Sequence, residues 1–168
     1  MAENTFYLPS GIDVAHHPQY PMRGHQIGYR NTANSWDKWT VDEYEKYIRE
    51  LVLFGANAVE NIPLRGNTPA VHMKMLPQDM HLKISEICDN YDIQHWIWTP
   101  ATFDLSDAGL RAEEIEKHRA FYSKCARLDG VFVPGGDPGR NHPKLVLPFL
   151  KDLYTVLMEY HPDAGVWF

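Results

Sequence analysis

The sequence predicts an α/β fold built on one parallel sheet, and three observations carry that prediction. Short apolar runs alternate with longer amphipathic runs, five of the first and four of the second. The centres of the short runs, Ile27, Val59, Ile97, Phe132 and Trp167, recur at steps of 32, 38, 35 and 35 residues, the length a strand, a crossover helix and two turns require. The connections are lopsided. From helix to strand the chain turns at once ("GA" at 55–56, "DG" at 129–130, "PD" at 162–163). From strand to helix it spends long polar loops, "NTANSWDKW", "LRGNTPAVHMKML", "ATFDLSD" and "DPGRNH". Function in parallel α/β folds gathers at the C-terminal ends of the strands, and every long loop lies on that edge.

Residues 1–22, with Pro9, Gly11, Pro18 and Pro21 and no periodicity, read as an irregular lead-in or linker to a single domain over 23–168. "RGHQIGYR" (23–30) is the first strand. Thr40 and Glu43 form a capping box. Val41, Tyr44, Tyr47, Ile48, Leu51, Val52 and Phe54 mark the apolar face of the helix that follows, and Gly55 ends it. "NAVENIP" (57–63) is the second strand. Pro77 suits the first turn of the next helix, whose stripe is Met80, Ile84, Ile87, Cys88 and Tyr91. "IQHWIWTP" (93–100) is a strand, 110–128 a helix with Cys125 on its stripe, and "GVFVPGG" (130–136) a strand. The last helix spans 143–160 on Leu145, Phe149, Leu150, Leu153, Val156, Leu157 and Tyr160, with Pro148 expected to kink or delay its start. "AGVWF" (164–168) is the final strand.

No GxGxxG follows the first strand, which disfavours a dinucleotide-binding fold. A flavodoxin-like five-stranded sheet is the alternative. A complete (β/α) barrel needs roughly 250 residues, and this chain has 168. The expected architecture is therefore barrel-type, TIM-barrel-like, with about five βα units: a half or truncated barrel.

Composition narrows the function. Hydrophobic residues make up 44% and charged residues 23%, an ordinary globular balance, and the net charge of −6 with no Lys/Arg cluster argues against nucleic acid as a partner. No apolar run approaches the about 18 residues of a membrane span. "MAENTFYLPSG" has neither a basic nor an apolar segment, so a cytoplasmic location is expected, or a periplasmic or secreted one if the N-terminus is truncated. Cys88 and Cys125 are expected to be buried free thiols. With no CxxC, HExxH or other ligand-spaced cluster, no metal and no organic cofactor is expected.

The strand ends carry the chemistry. The first offers His25, Gln26, Tyr29 and Arg30, the second Glu60 and Asn61, the third Trp96, Trp98 and Thr99, and the fourth Asp137. Carboxylates, amides, an arginine and tryptophans are what a carbohydrate site needs: bidentate polar partners for hydroxyls and flat apolar faces for C–H surfaces. His25 and Tyr29 share a strand face. Trp96 and Trp98 alternate with Ile97, so the three cannot share one, and Trp98 is the cleft candidate. Arg30 suits an anionic group or loop carbonyls. Structural readings stand beside these: a salt bridge for Glu60, a turn or cap for Asp137.

"RGHQIGYR", "LFGANAVENIP", "WIWTPA" and "DGVFVPGGDPG" with the following "HP" resemble the catalytic barrel of bacterial α-glucuronidase-like glycoside hydrolases, related to the β-N-acetylhexosaminidase barrels. The resemblance covers about residues 20 to 168. It implies that Asp137 is the proton donor to the leaving oxygen. Glu60 is the candidate second carboxylate. The candidate substrate-binding residues are His25, Gln26, Tyr29, Arg30, Asn61 and Trp98. Arg30 would hold a substrate carboxylate if the sugar is a uronic acid. The alternatives are a hexosaminidase-like enzyme, a non-catalytic carbohydrate-binding or structural half-barrel, and a flavodoxin-like phosphoryl-ligand module. An open half-barrel has bare edges around Ile27 and Trp167. A second copy in a homo-oligomer, or the C-terminal half of the barrel, would cover them.

Overall fold

The computed structural model describes residues 9–27, 38–61, 74–134 and 140–168. Five strands, β1 (Gly24–Gln26), β2 (Ala58–Asn61), β3 (Gln94–Trp98), β4 (Gly130–Phe132) and β5 (Gly165–Trp167), alternate with four helices, α1 (Val41–Leu53), α2 (Pro77–Asn90), α3 (Ala108–Tyr122) and α4 (Pro143–Tyr160). Every strand pair is parallel and the sheet order is β1-β2-β3-β4-β5. That order decides between the two architectures. Each right-handed crossover steps to the next strand in the same direction, so all four helices fall on one side of the sheet. A flavodoxin-like sheet reverses direction once and carries helices on both faces. The winding is that of a barrel, and the flavodoxin-like alternative is excluded.

Burial follows the strand period of two. Ile27, Val59, Ile97, Val131 and Val133, none more than 1% exposed, face the helices. They form two adjoining cores. Tyr44, Ile48, Ile84 and Cys88 of α1 and α2 close over Ile27 and Val59. Phe121, Tyr122, Phe149, Leu153 and Leu157 of α3 and α4 close over Ile97 and Val131. The other face, with Gln26, Glu60, Trp96, Trp98, Phe132 and Trp167, has no described helix over it.

Local chemistry sets most boundaries. The Glu43 amide donates to Thr40 Oγ1 at 3.3 Å and the Thr40 amide to Glu43 Oε2 at 2.6 Å, completing the capping box. Gly55 takes φ +89°, where an L side chain is strained, and turns the chain into β2. Asp107 caps α3 by accepting from the Gly109 and Leu110 amides.

Three expectations are corrected. Phe54 is not on the apolar face of α1: it is the C-cap and 90% exposed. α3 stops at Tyr122 rather than Leu128, because residues 123–129 leave the helix to lock onto α2 and β3. Ser85 Oγ exchanges hydrogen bonds of 2.8 Å with both the amide and the carbonyl of Arg127, and the Arg127 guanidinium reaches Asp92 and Asp129. Cys125 is therefore buried in this hook, not on a helix. Pro148 neither delays nor ends α4, which begins at Pro143 behind the His142 cap; the proline costs one bond to the carbonyl of exposed Lys144.

Candidate functional site

Strand register, invisible in any single segment, assembles the open face. Gln26 lies beside Glu60, Glu60 beside Trp96, Trp96 beside Gly130, and Gly130 beside Gly165, forming one continuous row. The next row toward the strand C-termini is Trp98, Phe132 and Trp167. The two glycines give the first row room. A Cβ on Gly130 would stand 2.4 Å from two carbons of the Trp96 indole, so the indole lies across the bare backbone of β4. Its Nε1 donates to Gln94 Oε1 at 3.1 Å. The Trp96 and Trp167 rings meet at 5.5 Å with planes tilted by 49°, a continuous aromatic shelf. A cavity of about 570 Å³ opens above it, with Gln26, Glu60, Trp96, Phe132 and Trp167 in its lining and Met22 of the lead-in at its rim.

Among the described residues that line this cavity, Glu60 supplies the carboxyl group. Gln26 Nε2 donates to its Oε2 at 3.0 Å. Its Oε1 is buried and has no hydrogen-bond partner among the described residues. Burial raises its pKa above the ordinary glutamate value, and the Gln26 hydrogen bond opposes the rise. The result is a carboxyl group that keeps its proton to higher pH than a solvated one, the property general acid catalysis requires.

The other candidates divide. His25 borders the cavity, but its Nε2 lies 2.8 Å from the Tyr47 hydroxyl of α1, and the rings meet edge to face. Asn61 is buried on the same strand face as Val59. Trp98 is half-buried on the open face beside Phe132. Ile97 takes the helix side, so both Trp96 and Trp98 look onto the open face. Tyr29, Arg30 and Asp137 lie outside the described residues.

Sequence reasoning missed Trp96, Phe132 and Trp167 as cavity residues. The alternation of β3 around buried Ile97, read together with the glycine that opens β4, was the available signal for Trp96. It also missed Asn141. The side chain of Asn141 accepts from the Leu105 amide at 2.9 Å and donates to the Ala101 and Phe103 carbonyls at 3.1 and 2.8 Å, pinning the β3–α3 loop at the functional edge.

On the helix side the ionisable groups are structural. His95 Nδ1 donates to the Arg127 carbonyl at 2.8 Å, and burial pushes its pKa down to about 4, so the ring is neutral. Burial pushes the Cys88 and Cys125 thiols up to about 12. Among the described residues no group of three or more His, Cys, Asp or Glu side chains could hold a metal ion. No described helix is long and apolar enough to cross a membrane.

No protein-family model and no curated protein matches the sequence. Solved structures of the same winding do. A family 39 glycoside hydrolase from Bacteroides cellulosilyticus superposes with a TM-score of 0.57 at 15% identity, over 85% of this chain and 30% of that one. A protein assigned as an α-L-fucosidase from Bacteroides ovatus gives 0.57 at 14% identity, over 86% and 30%. The GH5_18 protein of Streptomyces cattleya, solved with GlcNAc, gives 0.54 at 11% identity, over 78% and 39%. At these identities the likeness establishes the fold: the parallel β/α winding found in glycoside hydrolases. The chain spans about a third of the length of these structures.

Proposed function

We propose that this chain carries part of the active-site edge of a glycoside hydrolase, with a saccharide resting on the Trp96–Trp167 shelf and Glu60 and Asp137 dividing the acid and base work. The observation that supports it is the placement of Glu60: a half-buried carboxyl with an oxygen to which no described residue donates, on the row next to an indole shelf. The indoles offer C–H surface contact, and Gln26 with Glu60 offers hydrogen bonds to hydroxyls. A carboxyl group whose pKa burial raises is suited to protonating the leaving oxygen, and the second carboxylate attacks the anomeric carbon or activates water. The GlcNAc complex of the Streptomyces cattleya neighbour and the α-glucuronidase-like marks at 23–30 and 131–139 put both N-acetylglucosaminides and glucuronides on the panel of substrates to test.

A second reading is favoured by the same geometry. Shelf, Gln26 and Glu60 all stand on strands, so the face holds a sugar whether or not Asp137 completes a catalytic pair. Hydrolysis of an aryl-glycoside panel separates the readings. Under the first, some glycoside is cleaved and Glu60→Gln lowers turnover by about 10²-fold or more. Sugar binding by calorimetry with no cleavage would establish the second.

A further inference from the structure

Glu60 Oε1, to which no described residue donates, points to the kind of ligand. A buried carboxylate oxygen without a donor is costly, so the cavity is built for something that donates to it. A neutral hydroxyl would satisfy the hydrogen bond. An ammonium group satisfies it too, and gains from the rest of the lining. Its charge is complementary to the carboxylate, and the indoles of Trp96 and Trp167, whose ring quadrupoles attract cations, line the same cavity. The described lining includes no lysine or arginine that would repel a cation or neutralise Glu60. An anionic sugar would meet Glu60 itself. The net charge of −6 acts in the same direction over longer range.

We propose that this cavity takes a ligand bearing a positively charged amine, an amino sugar with a free amino group, held with its nitrogen at Glu60 Oε1 and its C–H face on the Trp96–Trp167 shelf. The amino-sugar identity rests on the saccharide reading above; the amine preference rests on the carboxylate and the indoles alone.

The test is tryptophan fluorescence and calorimetry on the whole chain at neutral pH with two matched probe sets. The first is glucosamine, glucose and glucuronate. The second is choline and its neutral carbon isostere, dimethylbutanol. Glucosamine is expected to bind about 10-fold or more tightly than glucose, and glucuronate more weakly than either, with choline above its isostere by a similar factor. Glu60→Gln, whose fold is checked by circular dichroism, should reduce both preferences to about two-fold or less. Trp167→Ala, at an exposed position that the folded core does not need, should weaken the amines most. Glucose binding as tightly as glucosamine would overturn the amine preference and leave the saccharide reading standing. Choline preferred over its isostere with no sugar bound would do the reverse. Silence from every probe would sink both.

Discussion

At the scale of single residues, half-buried Glu60 and buried His95 pull pH stability in opposite directions. Glu60 has a raised pKa in the folded chain. The folded state therefore binds its proton more tightly than the unfolded state does. That contribution is fully present below the unfolded glutamate value of about 4.5 and is lost as pH rises through the folded one. Glu60→Gln should remove this loss, so thermal melts of the variant gain on the parent as pH rises above 4.5. His95 behaves oppositely. Its pKa falls from 6.5 to about 4, so its contribution is present above 6.5 and disappears as pH falls toward 4. A parent chain whose melting temperature does not decline over that acid window would contradict the buried neutral ring. Gly130 makes a third test. Gly130→Ala drives a methyl into the Trp96 indole and should cost about 1–3 kcal/mol in denaturant unfolding. In a Trp96→Ala background the same change should cost little, because the clash is gone.

At the scale of elements, caps and pins determine what was legible. The Thr40–Glu43 box, the Gly55 stop and Pro77 at a first turn are local chemistry, and each can be read in a few residues. The end of α3 could not be, because it is decided by Ser85 on another helix capturing the Arg127 backbone. Asn141 is a similar case: three hydrogen bonds to residues 101–105 fix a loop from a distance of some forty positions in sequence. Asn141→Ala removes all three and should cost about 1–3 kcal/mol. Hydrogen exchange should show the Leu105 amide losing protection first, while β1 and β2 keep theirs. Uniform loss across the sheet would mean that Asn141 supports the core rather than the loop.

At the scale of the whole molecule, even βα spacing was enough for a parallel sheet with right-handed crossovers but not for its winding: a flavodoxin-like sheet is spaced alike, and the strand order β1-β2-β3-β4-β5 decides between them. The site was only half legible. Glu60 and Gln26 stood out as strand-end residues, but their pairing depends on register, and the alternation in β3 leaves open which parity faces the helices. Packing of Ile97 into the helix layer settles that parity and places Trp96 beside Glu60. Among the described residues nothing pairs with the outer edges of β1 and β5, and Trp167 and Phe168 are more than half exposed. Unpaired parallel edges beside apolar rings favour association. Light scattering at micromolar concentration should therefore show a dimer or larger species, and a monodisperse monomer would show that the edges are tolerated uncovered.

One carboxyl group, Glu60, carries the candidate site, and its titration can be followed directly. Carboxyl-carbon NMR on the chain, with Glu60→Gln used to assign the signal, reads the Glu60 midpoint in place. The expected midpoint lies above the ordinary 4.5 and falls when an amine ligand that favours the ionised form is added. A midpoint at or below 4.5, unmoved by ligand, would mean that Glu60 is a solvated surface carboxylate and that the open face is not a site.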